Sequence, residues 1–141
     1  MSHANWPEPS TNGYSLLLAA TFDRGSLAAV RHEVRDAAGS CRMTVGRRDD
    51  FVLAVNEIMS NAVRHGGGSG HIQLWHDGDL LCQVTDRGSG FDAGPYLRRD
   101  RPQPSPSGGM GLWIARQTSS NLTIDSGPTG TTIGIRGVLD P

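Results

Sequence analysis

Apolar and polar positions recur along the chain with two periods. Tyr14 to Thr21 is a short apolar run and predicts a buried strand. Leu27, Val30, Val34 and Ala37 recur at helical spacing and predict an amphipathic helix running to about Ala38. Asp23 and Ser26 are its candidate caps, and Gly39 stops it. A second, stronger helix is expected from a cap at Asp49 or Asp50 to the run Gly66-Gly67-Gly68. Its apolar stripe is Phe51, Val52, Val55, Ile58, Met59, Ala62 and Val63. Ile72 and Leu74, then Leu80, Cys82 and Val84, alternate on either side of Asp77-Gly78, which signals a tight hairpin. Helical spacing resumes at Met110 to Gln117. Two last strands, about 121–125 and 131–138, flank a turn at 126–130. The order β-α-α-β-β-loop-α-β-β predicts an α+β fold in two layers, with helices on one face of a sheet.

Residues 87–109 break both periods. They hold five glycines, the prolines Pro95, Pro102, Pro104 and Pro106, and the arginines Arg98, Arg99 and Arg101. A loop this long inside a compact domain is functional or disordered as a rule. Residues 1–12, with Pro7 and Pro9, read as a loose arm before a single domain at 13–141.

With 141 residues, the chain is long enough for one real core. Thirteen basic against fourteen acidic residues leave a net charge of −1, which excludes the strong field of a general nucleic-acid binder. All thirteen basic residues are Arg. Without Lys there is no Walker A phosphate loop and no Schiff-base chemistry on a Lys amine. Cys41 and Cys82 are too far apart for a Cys-x-x-Cys site, and Cys82 falls in an apolar strand. No apolar run is long enough to span a bilayer, and a cytoplasmic protein is expected.

Four segments carry candidate chemistry. Glu57, Asn61 and His65 stand at i, i+4 and i+8, along one face of the second helix. A carboxylate there can take a proton, and an amide oxygen can enter a Mg²⁺ shell. A solvated polar face is the plainer reading of the same row. Asp86-Arg-Gly-Ser-Gly90 ends a strand with an acceptor for an exocyclic amine, followed by glycines that admit a flat ligand. Gly108-Gly-Met-Gly111 opens a helix, where backbone N–H groups favour anions. Gly130-Thr-Thr132 begins the last strand. Singly these read as turns and hinges.

In this order and spacing they resemble the GHKL ATPase superfamily, shared by histidine kinases, gyrase-type ATPases and anti-sigma-factor serine kinases. Glu57-Ile-Met-Ser-Asn61 is similar to the N box, and the three glycine segments to the three glycine boxes. The resemblance covers about residues 14–138. Asn61-Ala-Val-Arg-His-Gly66 and the small size are most similar to the anti-sigma-factor serine/threonine kinases. There is no room for a phosphoacceptor helical hairpin, so His65 is expected to cap the helix or support the site rather than to be phosphorylated.

The resemblance implies the histidine-kinase-like ATPase fold, with a mixed, mostly antiparallel sheet and a nucleotide lid at 92–107. It implies ATP and Mg²⁺ as cofactors, with Glu57 as general base and Asn61 on the metal. Asp86 would hold the adenine amine, with Gly88 and Gly90 shaping the pocket. Gly109 and Gly111 would cradle the phosphates, with Gly108 and Leu112 beside them, and Thr131 would support adenine through water. Ser107 departs from the pattern: relatives often carry an Arg there to meet the γ-phosphate, and Arg98, Arg99 and Arg101 lie upstream.

The function implied is an ATP-binding transcription regulator that sequesters a sigma factor and phosphorylates a Ser on an antagonist protein. It would touch no nucleic acid and no membrane, and a homodimer is compatible with it. Two alternatives stand beside it: an ATP-dependent binding switch without transfer, and a stand-alone ATPase domain of a two-component-type pathway. Loss of the Glu57 carboxylate separates a kinase from a switch.

Overall fold

The computed structural model describes residues 14–90 and 110–139. The expected arm, the 92–107 lid with its arginines, Ser107, Gly108 and Gly109 lie outside the described residues. Strand β1 is Ser15–Asp23, α1 Leu27–Gly39, α2 Val45–His65, β2 Ser69–Asp77 and β3 Asp79–Asp86. Helix α3 is Met110–Gln117, followed by β4 Asn121–Gly127 and β5 Gly130–Val138. Element types and order agree with the sequence pattern.

The five strands lie in the order β1-β2-β3-β5-β4, and each of the four pairings is antiparallel. Gly78, at φ +70, sits alone between the paired Asp77 and Asp79 and turns β2 into β3. Strand alternation then sorts the side chains. Phe22, Ile72, Leu74, Leu80, Cys82, Val84, Ile133, Ile135 and Leu122 all enter one core with the helices. Burial pushes the Cys82 thiol well above its ordinary pKa, so it acts as a small hydrophobe, as its place in the strand suggests.

Helix α2 is the spine. It packs against α1, α3 and the central strands β2, β3 and β5. Phe51, Val52, Ala54, Val55, Ile58, Met59 and Ala62 are buried, and Val63 packs at the margin.

Its start corrects the expectation of a cap at Asp49 or Asp50. The N-cap is Thr44, extended at φ −62 and ψ 157, and its Oγ1 accepts from the Arg47 backbone N–H at 3.2 Å. Asp49 and Asp50 stand inside the helix instead. A hydroxyl on extended backbone satisfies an orphan N–H of the first turn. At α1, Asp23 and Ser26 act together. The Asp23 N–H donates to Ser26 Oγ at 2.9 Å, and the Ser26 N–H donates to Asp23 Oδ1 at 3.0 Å. Ser26 holds the N-cap position without a side-chain bond into the helix.

Candidate functional site

The end of α2 lands on the end of β3, and glycine makes that meeting possible. The Gly66 N–H closes the helix on Ala62 O at 2.8 Å. A Cβ on Gly66 would overlap the Asp86 carboxyl group. A Cβ on Gly88 would lie 2.7 Å from the Gly66 Cα and 3.1 Å from the His65 carbonyl oxygen. Across the strand, Gly130 packs on the Asp86 carbonyl. Gly90, at φ +82, packs on the Gly127 carbonyl, where no side chain fits.

Within this cradle Asp86 is 5% exposed. Its Oδ1 accepts the Gly88 N–H at 2.9 Å. Burial raises its pKa, and the hydrogen bonds from the Gly88 and Thr131 backbones oppose that rise. Thr131 is the register partner of Asp86 on β5, and Ser126 is the partner of Thr131 on β4. The Ser126 and Thr131 hydroxyls lie 2.7 Å apart. A carboxylate and two hydroxyls therefore form one row across three strands, on the face toward the helices.

Glu57 and Asn61 occupy half-buried positions on α2, one turn apart. Gly111 in the first turn of α3 faces Glu57: a Cβ there would lie 3.6 Å from Glu57 Oε1. Leu112, only 3% exposed, anchors α3 in the core beside it. Leu112 thus contributes packing. His65 is exposed in the last turn of α2, where a basic residue complements the helix dipole.

At 1.5 Å per residue, Glu57 stands about 13 Å up the helix from Gly66. The C-terminal half of α2 so sets an amine acceptor, Asp86, beside its last residues and a proton acceptor, Glu57, about two and a half turns up the same helix. A cleft of about 390 Å³ opens beside Asp86, Arg87, Asp125 and Thr131. Thr85 and Thr132 also line it, and both point away from the helices, so it is not the space beside Glu57.

The structure thus gathers Asp86, Gly88 and Thr131 at the C-terminal end of α2 and sets Glu57 beside Gly111 farther up the helix. Gly108 and Gly109 lie outside the described residues. Two contributors escape the sequence pattern. Gly66 reads there as a helix stop, yet it seats Asp86. Ser126 reads as a turn residue, yet it fixes the Thr131 hydroxyl. The first could be suspected from a glycine directly after Arg64-His65; no local pattern marks the second.

Among solved structures, the chain is similar to the RsbU and RsbW domains of Rv1364c from Mycobacterium tuberculosis. The TM-score is 0.64 at 24% identity, over 86% of this chain and 31% of that one. It is similar to the SiaB-SiaC complex from Pseudomonas aeruginosa, with a TM-score of 0.60 at 12% identity, over 88% and 91%. It is also similar to the mycobacterial sensor histidine kinase MprB, at 0.56 and 21%, over 88% and 99%. These likenesses are likenesses of fold, and the first spans less than a third of the larger protein. No protein of curated function matches the sequence. The histidine kinase-like ATPase domain family model matches residues 20–136, most of the chain, and the chain belongs to that family.

Proposed function

We propose that this chain binds Mg-ATP and acts as a regulatory serine/threonine kinase of the anti-sigma-factor type. In this reading it phosphorylates a Ser on an antagonist protein and sequesters a sigma factor. The observation that carries it is the glycine-walled Asp86 carboxylate at the C-terminal end of α2, with Glu57, mid-way along the same helix, facing the first turn of α3. The fold likeness to an RsbW domain and to the SiaB-SiaC complex supports protein partners of this kind.

The residues fit the group. A buried acceptor with a glycine on either side suits a flat heterocycle with an exocyclic amine. Among the described residues there is no cluster of three His, Cys, Asp or Glu side chains for a metal. A divalent cation here would rest on Asn61, water and phosphate oxygens, which is how Mg²⁺ is commonly held. When bound, Mg-ATP supplies the phosphoryl group and the charge that offsets its transfer. The chain's own part is fourfold. Asp86 accepts the adenine amine, and Thr131 orders water on the far side. Asn61 offers its amide oxygen to the metal. Glu57 takes the proton from the attacking serine hydroxyl.

The test is transfer of labelled phosphate to a Ser-bearing antagonist, with Glu57→Gln as the control. A positioned base contributes about 10²–10⁴-fold, so the variant should bind ATP normally and transfer at least about tenfold more slowly. An equally active variant removes Glu57 from the role. If the wild type neither transfers phosphate nor hydrolyses ATP, the chain is an ATP-dependent switch, and Ser107, where relatives often carry Arg, is the residue to replace first.

A further inference from the structure

Strands β4 and β5 meet beside Asp86 through a turn that fixes their register. Gly127 pairs with Gly130, so Pro128 and Thr129 alone make the connection. Ser126 and Thr131 are thereby held opposite each other on the helix face. Their hydroxyls lie 2.7 Å apart, the ordinary length of an O–H···O hydrogen bond. On the other face of the sheet, the Thr85 and Thr132 hydroxyls stand 3.3 Å apart, a looser pair. Thr131 is buried and Ser126 half-buried. The Thr131 backbone N–H bonds the Asp86 carboxylate, so the hydroxyl pair and the carboxylate are immediate neighbours. Gly90 leaves room for the Ser126 hydroxyl: a Cβ there would lie 3.1 Å from its Oγ.

We propose that Ser126 is a positioning residue for base recognition: it donates its hydroxyl proton to Thr131 and so leaves the Thr131 proton to the ligand side. The inference rests on the Mg-ATP reading of the site. Each hydroxyl has a single proton, so the pair can be joined in either of two directions. If Thr131 donated to Ser126, it would offer lone pairs alone to the ligand side. Next to its exocyclic amine, adenine carries a ring nitrogen, N1, which is an acceptor. A water ordered by Thr131 has two protons to give. Its other neighbours there, N1 and the Asp86 carboxylate, are both acceptors. The water must then accept from Thr131, and Thr131 must accept from Ser126. The chain Ser126–Thr131–water–N1 thus reads an acceptor beside a donated amine. A base with a ring N–H beside a carbonyl presents the reverse pattern, and it leaves these buried groups unpaired.

Calorimetry with Mg-ATP, and with its analogue bearing C–H in place of N1, tests it on the full chain. The wild type should bind ATP more tightly than the analogue. Ser126→Ala should raise the dissociation constant for ATP about fivefold, the scale of one neutral hydrogen bond, and leave that for the analogue unchanged. Ser126→Thr keeps a hydroxyl and should restore ATP binding. Thr131→Val should weaken ATP at least as much. Ser126→Ala added to Thr131→Val should bring no further loss, because Ser126 acts through Thr131. If Ser126→Ala weakens both ligands equally, the role is packing alone and the proposal is overturned. An unchanged affinity for ATP overturns it too, as does a failed rescue by Ser126→Thr or a further loss on top of Thr131→Val. Those outcomes leave ATP binding by the wild type intact. A wild type that binds no ATP removes the nucleotide reading, and this inference with it.

Discussion

At the scale of the residue, Asp86 is where folding and binding pull in opposite directions. Burial disfavours its ionised form, while the ionised form is the better acceptor for an amine. A carboxyl group whose pKa is higher in the folded state binds its proton more tightly there. Its stabilising contribution is complete below the unfolded value, near 3.9, and fades as pH rises through the higher folded value. Asp86→Asn keeps an oxygen for the Gly88 N–H and carries no charge. It should therefore melt above the wild type at about pH 7, with the gap closing toward about pH 3. Thermal melts across that range check it. A gap that persists unchanged in acid assigns the effect to something other than ionisation. The sequence marks Asp86 as a strand-end acceptor, and the structure keeps it there. What the sequence does not carry is that Gly66, twenty residues earlier, must lack a side chain for Asp86 to fit. That demand comes from a crossing of α2 and β3, which no local window contains.

At the scale of the element, the legible signals are those with a strong apolar period. The stripe of α2, the core face of β2 and β3 and the Gly78 turn are all read correctly from the chain, but β2 is buried on both faces, with His71, Gln73 and Trp75 buried as well. The start of α2 is not. Gly46, Arg47, Arg48, Asp49 and Asp50 show no apolar period, and Val45 at the helix start is 62% exposed. The helix there is set by its cap and by continuity with the buried turns that follow. Thr44→Ala removes the Oγ1 that accepts the Arg47 N–H, and Thr44 itself is exposed. Lost caps cost about 0.5–2 kcal/mol. We expect a destabilisation of about 1 kcal/mol by urea unfolding, with Thr44→Ser nearly neutral. A harmless Thr44→Ala shows that the packing of Phe51 and the residues after it fixes the helix start alone.

At the scale of the molecule, the element order points to a two-layer α+β fold, and the four motifs point to a nucleotide. The strand order is less legible: β5 lies between β3 and β4, so the last strand is central and β4 is an edge. That arrangement sets Thr131 opposite Asp86 and brings the glycine segments at 86–90 and 130–132 side by side. A ligand held between α2, β3 and β5 binds only the folded chain, so it stabilises the whole domain by mass action. At one hundred times its dissociation constant, a ligand adds about 2.7 kcal/mol. For a domain of this size that corresponds to a rise in melting temperature of about 10 °C. Mg-ATP should produce such a rise in the wild type. Glu57→Gln should keep it, because in the proposed reading the carboxylate acts on the serine proton and not on the nucleotide. Asp86→Asn should lose most of it at the same nucleotide concentration, even though the variant itself melts higher without ligand. Differential scanning fluorimetry of the three proteins, with and without Mg-ATP, reads all three arms. A wild type that does not shift at millimolar nucleotide removes ATP from the site, and an unchanged shift in Asp86→Asn removes Asp86 from the adenine.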